Sequence, residues 1–181
     1  RDSRGLVRVT GIPLEVKSAH AVRFTRNGDL WVASEFGAFL VLRSSRQWQY
    51  WSTSSDFRDK GINTILKSAD GTIWLGRNRG VEIRRPDGIV IRTDDVASTP
   101  LQRGTGLAED GAHRIWATSG SGFSGAYRWD GQAWRHVGET EGLAELFYHR
   151  VSRDRRGRLW FLGTTPGGYA RGGAGDGSGI P

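Results

Sequence analysis

Hydrophobic residues along the chain fall in short runs, and polar stretches rich in Gly separate them. No segment keeps a 3.6-residue period long enough to make a helix, so the pattern predicts strands joined by turns. The region from 104 to 137 shows this best. It divides into strands Gly104–Ala108, Arg114–Ser119, Gly125–Trp129 and Ala133–Val137. Asp130-Gly131 and Asp87-Gly88 are tight-hairpin dipeptides, and Ser44-Ser45-Arg46 holds the matching place upstream.

The same unit recurs. Residues 26–34, 69–77, 110–118 and 156–164 share Gly, a short polar spacer in most copies, Leu or Ile, then Trp and small or apolar residues. The tryptophans are Trp31, Trp74, Trp116 and Trp160, at spacings of 43, 42 and 44 residues. A second landmark is the Gly that opens the next strand: Gly37, Gly80 and, after a longer loop, Gly125. A four-stranded unit of about 40–45 residues is the size of a propeller blade, whereas the shorter ankyrin and tetratricopeptide repeats are helical. Blades stack face to face, so a large side chain at one fixed position fills the wedge between neighbours. The four tryptophans are therefore read as packing residues.

Composition narrows the classes further. With 36% hydrophobic and 25% charged residues, the 181-residue chain is too apolar for disorder and too polar for a membrane bundle. The 27 glycines follow from the density of turns, and the absence of Cys excludes disulfides, Cys metal sites and a Cys nucleophile. The net charge is +7, carried by 23 Arg against 3 Lys and spread over the whole length, densest at Arg153, Arg155, Arg156 and Arg158. Charge of that kind supports only non-specific affinity for polyanions, so no nucleic-acid partner is expected. The sequence begins with Arg and shows no signal peptide, as expected of an interior piece or a processed product.

The repeat resembles that of two-component regulator propellers, whose pattern runs Gly, spacer, Leu-Trp-apolar-Gly-Thr, then Gly-Leu-aromatic-Arg. Leu159-Trp160-Phe161-Leu162-Gly163-Thr164 and Gly125-Ala126-Tyr127-Arg128 carry the likeness, and Gly142-Leu143 and Gly11-Ile12-Pro13 stand where that family has Gly-Leu-Pro between blades. It extends over about residues 11–165, with Ala33-Ser34, Gly76-Arg77 and Ala117-Thr118 departing from Gly-Thr. The resemblance implies an all-β fold, a β-propeller of about four four-stranded blades that forms an open arc of a larger, seven-bladed ring. Residues 1–10 are expected to be the remnant of a preceding blade, 11–171 the blades with the fourth incomplete, and 172–181 a flexible Gly-rich tail. An open arc exposes its terminal faces and is expected to self-associate.

The resemblance further implies the periplasmic, ligand-sensing part of a membrane-anchored, dimeric sensor histidine kinase. It would bind a small polar ligand, such as a carbohydrate, and relay the event to a downstream transmitter. Kinase chemistry belongs to other domains, so this segment is expected not to be an enzyme and to need no cofactor. The ligand face of a propeller carries the loops between second and third strands, which here contain Glu35, Phe36, Arg77, Asn78, Arg79 and Phe123. The arginines suit a carboxylate, phosphate or sugar hydroxyls, and Phe36 suits stacking on a sugar ring. Lys17, His20, Lys60 and Asn63 lie on the connections into the blades.

Other motifs do not hold up. Gly120-Ser121-Gly122-Phe123-Ser124-Gly125 fits Gly-x-Gly-x-x-Gly, but a strand and a hairpin follow it instead of a helix. His20, His113, His136 and His149 share no metal-ligand spacing, so no metal site is expected. Glu139, Glu141 and Glu145 read as a solvated connector. The alternatives to a sensor are a propeller enzyme like the streptogramin lyases, with His20 and His149 near the blade starts, and a protein-interaction scaffold.

Overall fold

A computed structural model describes residues 18–25, 27–51, 61–93, 101, 103–144, 146–165 and 179–180. The strands are β1 (Ala19–Phe24), β2 (Leu30–Ser34), β3 (Gly37–Val41), β4 (Trp48–Trp51), β5 (Ile62–Lys67), β6 (Ile73–Arg77), β7 (Val81–Arg84) and β8 (Val90–Arg92). They continue with β9 (Gly106–Glu109), β10 (Ile115–Thr118), β11 (Ala126–Trp129), β12 (Trp134–Val137), β13 (Phe147–Arg153), β14 (Leu159–Thr164) and β15 (Gly179–Ile180). A 3-10 turn, Glu139–Glu141, follows β12.

The strands form four separate antiparallel sheets, β1-β2-β3-β4, β5-β6-β7-β8, β9-β10-β11-β12 and β13-β14-β15. Each is a meander in which sequence neighbours pair, as short hairpin loops require. The first strands of successive sheets lie beside one another: β1 by β5, β5 by β9 and β9 by β13. They are thus the inner strands of an arc of blades, and the all-β, partly open propeller expected from the repeat is the fold found. Of the tail at 172–181, Gly179–Ile180 lies beside β14 in the third-strand place. The remainder, like residues 1–10 and Gly11-Ile12-Pro13, is outside the described residues.

Packing between sheets follows the tryptophan period. Trp31 is buried with Ile65 and Leu75 of the next sheet. Trp74 meets Trp129 and Trp134 edge-on, with ring centroids 6.1 and 6.0 Å apart. Trp116 meets Phe161 at 5.6 Å. Edge-to-face contacts of this kind add about 0.5–1.5 kcal/mol to the burial of the rings themselves.

The indole N–H is also held. Six residues before each Trp stands Thr25, Ser68, Asp110 or Asp154, a hydrogen-bonding side chain in every repeat. Trp74 Nε1 donates to Ser68 Oγ at 3.0 Å, Trp116 Nε1 to Asp110 Oδ2 at 2.9 Å and Trp160 Nε1 to Asp154 Oδ2 at 3.0 Å. The same acceptors shape the turn into the second strand. Asp110 also accepts from the amides of Ala112 and Arg114 and from Arg114 Nε. The turn needs a left-handed residue, supplied by Gly28, Gly71 and Gly157 at φ of 86°, 88° and 86°. In the third blade His113 takes that conformation, at φ 61°, and its Nδ1 lies 2.7 Å from Glu109 Oε1.

Burial alone would raise the Asp110 carboxyl, but the bonds from Trp116, Arg114 and Ala112 outweigh it and hold it below the usual carboxylate range. Hydrogen bonds from Trp160, Arg158 and Arg156 depress Asp154 in the same way. A depressed folded value means that the unfolded chain takes up protons first. The stabilisation is therefore present above the unfolded carboxylate range and fades as pH falls through the folded values. The denaturant midpoint is expected to be level between about pH 5 and 7 and to fall below about pH 4. Asp110→Ala leaves a partly buried indole N–H and two amides without their acceptor and is expected to cost about 1–2 kcal/mol in equilibrium denaturation. It should also flatten the acid limb.

Candidate functional site

Each inner strand carries an irregularity at the same end. Pairing with the second strand slips between Ala19 and Ala21, between Ile62 and Thr64, and between Tyr148 and Arg150. In the third blade the Thr105 amide donates to the Thr118 carbonyl at 2.7 Å, although Thr118 already opposes Gly106. The additional residues are His20, Asn63, Thr105 and His149, each 11 positions before its blade's Trp. A bulge leaves one residue outside the ladder and re-aims its side chain. Because the inner strands are neighbours, the four bulges bring four hydrogen-bonding side chains into one row around the axis of the arc.

Their partners lie within the row and the adjoining loops. His20 Nδ1 lies 3.0 Å from the Ile62 carbonyl on the next inner strand, which makes Nδ1 the donor and leaves Nε2 the acceptor of the neutral ring. Asn63 Nδ2 donates to Asn78 Oδ1 at 3.3 Å. His149 Nε2 lies 3.2 Å from Thr164 Oγ1. Gly120 sits against the other side of that ring, where a Cβ would come within 3.1 Å of His149 Nδ1. All four bulge residues keep accessible surface.

Two inner strands also carry an arginine. Arg23 of β1 and Arg150 of β13 come from opposite ends of the arc. Burial, and then the Arg150 guanidinium, lower the Arg23 pKa from its ordinary value. Two guanidinium groups close enough to repel each other favour an anion near them.

The loop residues singled out from sequence are placed differently from one another. Glu35 is exposed and Phe36 half-buried in the turn from β2 to β3, where the Tyr50 hydroxyl donates to the Phe36 carbonyl at 2.6 Å. Asn78 and Arg79 form the exposed turn from β6 to β7, and Asn78 reaches Asn63 on the axial row. A Cβ on Gly61 would touch both the Asn78 amide and the Glu35 carbonyl, so these two loops meet where the first and second blades join. Phe123 stacks edge-on against Tyr127 at 4.7 Å and is partly buried against the core.

Arg77 is apart from this group. It ends β6 wholly buried, with Nη1 3.9 Å from Glu82 Oε2. Glu82 is also wholly buried and accepts from Arg84 Nε at 2.6 Å and Arg92 Nε at 3.1 Å. That cluster faces protein, so Arg77 serves the blade's interior. Lys17 and Lys60 lie outside the described residues.

At the opposite end of the blades, between the second and third, is a cleft of about 310 Å³ lined by Asp70, Trp74, Glu109, His113 and Asp130 among others. Its carboxylates are engaged in the turns: Asp70 with Ser68 and Thr72, Glu109 with His113 and the Ala69 amide, Asp130 with Arg135 and the Gln132 and Ala133 amides. Among the described residues no three His, Asp or Glu side chains gather to hold a metal ion. The Gly120–Gly125 segment leads into β11, not a helix, so it has no helix N-terminus to offer a pyrophosphate.

No protein-family model and no curated protein matches the chain. Solved structures do. The chain is similar to virginiamycin B lyase from Staphylococcus aureus, solved as an inactive H270A form with quinupristin. The TM-score is 0.59 at 16% identity, over 78% of this chain and 47% of that one. It is similar to an extracellular domain assigned to a hybrid two-component system of B. thetaiotaomicron, with TM-score 0.61 and 17% identity over 81% of this chain and 20% of that one. It is also similar to an auxiliary nutrient binding protein from Bacteroides thetaiotaomicron, with TM-score 0.60 and 10% identity over 81% of this chain and 36% of that one. Identities this low show the fold alone, and the chain spans less than half the length of each of these proteins.

Glu82→Gln is expected to cost about 1–3 kcal/mol in denaturant melts, because it removes the buried charge that accepts from Arg84 and Arg92 and lies beside Arg77. Arg79→Ala, on the exposed turn, is expected to stay within about 0.5 kcal/mol of the parent.

Proposed function

We propose that this chain is a ligand-sensing propeller segment of an extracytoplasmic signalling protein, and that its ligand sits on the axial row of bulge residues. The observation that carries the reading is the convergence of His20, Asn63, Thr105 and His149 at one offset in every repeat. Packing of the blades does not require side chains of that kind there. His and Asn supply directed hydrogen bonds to hydroxyls, and Arg23 with Arg150 favours negative charge. The ligand class is a small polar molecule, with sugar acids fitting better than neutral sugars. Asn78, Arg79, Glu35 and Phe36 form the rim on the side of the first two blades. Likeness to a two-component extracellular domain supports placing the parent protein in the inner membrane, with this segment in the periplasm and a dimeric transmitter beyond it. Catalysis is then not the task of this segment.

The second reading is a lyase-like enzyme. It is favoured by the likeness to virginiamycin B lyase, where an H270A change gives an inactive form, and by the two histidines, His20 and His149, on the axial row.

Isothermal titration with neutral and uronate-bearing mono- and oligosaccharides tests the sensor reading. Binding of a uronate is expected, weakened about tenfold (~1.4 kcal/mol) or more by Asn63→Ala or His149→Ala and by added salt. The reading fails if no saccharide binds, or if binding ignores both substitutions. Quinupristin incubated with the chain is expected to elute unchanged on chromatography. A His149-dependent product peak would move the assignment to the enzyme.

A further inference from the structure

The hydrogen bonds that hold the axial row also fix what it can offer a ligand. A backbone carbonyl only accepts, so a group bonded to it must donate. Two row residues are bonded in that way. His20 Nδ1 lies 3.0 Å from the Ile62 carbonyl and so carries the ring proton, which leaves a lone pair on Nε2 of the neutral ring. Thr105 Oγ1 gives its one proton to the Thr118 carbonyl at 3.2 Å, and the Thr105 amide donates to the same oxygen at 2.7 Å. That hydroxyl then has only lone pairs left. Asn63 is set by a side chain instead, its Nδ2 donating to Asn78 Oδ1 at 3.3 Å. Nδ2 and Oδ1 stand on opposite sides of the amide carbon, so the bond turns the Asn63 oxygen away from the β6–β7 turn and leaves it free to accept, beside one remaining N–H. His149 is the exception. Its Nε2 lies 3.2 Å from Thr164 Oγ1, and a hydroxyl can donate or accept, so that contact sets no polarity.

We propose, on the reading that the ligand sits on this row, that the row is an acceptor site for ligand hydroxyl groups, with Asn78 as the positioning residue that keeps the Asn63 oxygen turned to it. Three unrelated anchors give this one polarity: a carbonyl on the next inner strand, a carbonyl of the same sheet and a side chain from a turn. An ion that can only accept, such as a bare carboxylate, phosphate or sulfate, meets lone pairs at His20 and Thr105 and is disfavoured there. A polyhydroxy compound meets a partner for its O–H groups. An ammonium group could also donate, but Arg23 and Arg150, on the inner strands β1 and β13, oppose a cation. The ligand class is therefore polyhydroxylated and either neutral or anionic. A sugar acid would lay its hydroxyl edge on the row and leave its carboxylate to the two arginines. Discrimination by such a site is strong, because a substituent that cannot donate leaves a row acceptor unpaired against it.

Deoxyfluoro analogues test the polarity, because fluorine replaces a hydroxyl at nearly the same size and cannot donate. Glucuronate and galacturonate are titrated calorimetrically into the full chain beside analogues fluorinated at each ring hydroxyl in turn. At two or more positions fluorination is expected to weaken binding about tenfold or more. Thr105→Val removes one acceptor and is expected to abolish the loss at one of those positions. Asn78→Ala frees the Asn63 amide to turn and is expected to shrink the loss at another, whereas Asn78→Asp still accepts from Asn63 Nδ2 and is expected to keep it. A uronate that binds, with every fluorinated analogue bound equally well, overturns the acceptor assignment and leaves the axial reading standing. If neither uronate binds, the acceptor assignment falls, and the axial reading falls with it when the wider saccharide panel is silent too. One readout needs no ligand. Long-range proton–nitrogen NMR spectra of the labelled chain at about pH 8, above the ordinary histidine range, are expected to show His20 as the Nδ1–H tautomer. The Nε2–H tautomer overturns the assignment whatever binds.

Discussion

The indoles of Trp74 and Trp116 are each held at both ends, and the rest of the arc depends on such junctions. The N–H is fixed to the turn that starts the second strand, by Ser68, Asp110 or Asp154 in the last three repeats. The ring fills the space before the next sheet, as Trp74 does against Trp129 and Trp134. One side chain thus couples the geometry of a hairpin to the spacing between hairpins. A turn that lost its acceptor would free the indole to rotate, and the next sheet would lose its stop. Single sheets of four short strands have too little apolar surface to stand alone, so stability in a repeat of this kind is carried at the junctions.

That division of labour explains why the fold was legible in the sequence while much of the site was not. The tryptophan period and the turn dipeptides mark blade number and strand order, because packing demands the same residue type at every junction. The acceptor six residues earlier was harder to see. Thr25, Ser68, Asp110 and Asp154 share a function, an oxygen at fixed reach, and differ in identity. The bulge position is more cryptic still, since His20, Asn63, Thr105 and His149 have in common only polarity and an offset of 11 residues from Trp. A search by offset would have found them; a search by residue type does not.

Arg77 illustrates the opposite failure. Beside Asn78 and Arg79 it reads as part of a basic loop, yet the strand extends one residue further than the loop suggests and turns its side chain toward Glu82. The carboxylate that captures it lies five residues on, across a hairpin, and nothing in the local sequence marks Glu82 as buried. Phe123 is similar, because it packs edge-on against Tyr127 and is partly buried against the core. Whether an exposed-looking aromatic or cation in a loop is available depends on what the hairpin folds it against.

The axial row has a mechanical relation to the blade junctions that bears on how binding there could be read out. Backbone hydrogen bonds that cross from one blade to the next cluster at this end: Gly104 to the Arg77 carbonyl at 3.0 Å, Gly120 to the Tyr148 carbonyl at 2.7 Å and Gly125 to the Leu146 carbonyl at 3.0 Å. Tyr148 immediately precedes His149, and Gly104 immediately precedes Thr105. A molecule bonded to Thr105 and His149 would therefore pull on residues adjacent to those that hold the third blade to the second and the fourth. Blade faces pack through rigid rings, and rings of this kind slide past one another far less readily than hydrogen-bonded loops adjust. A load applied at the axis would therefore pass along the inner strands as a small change of angle between whole blades, with each sheet moving as a unit.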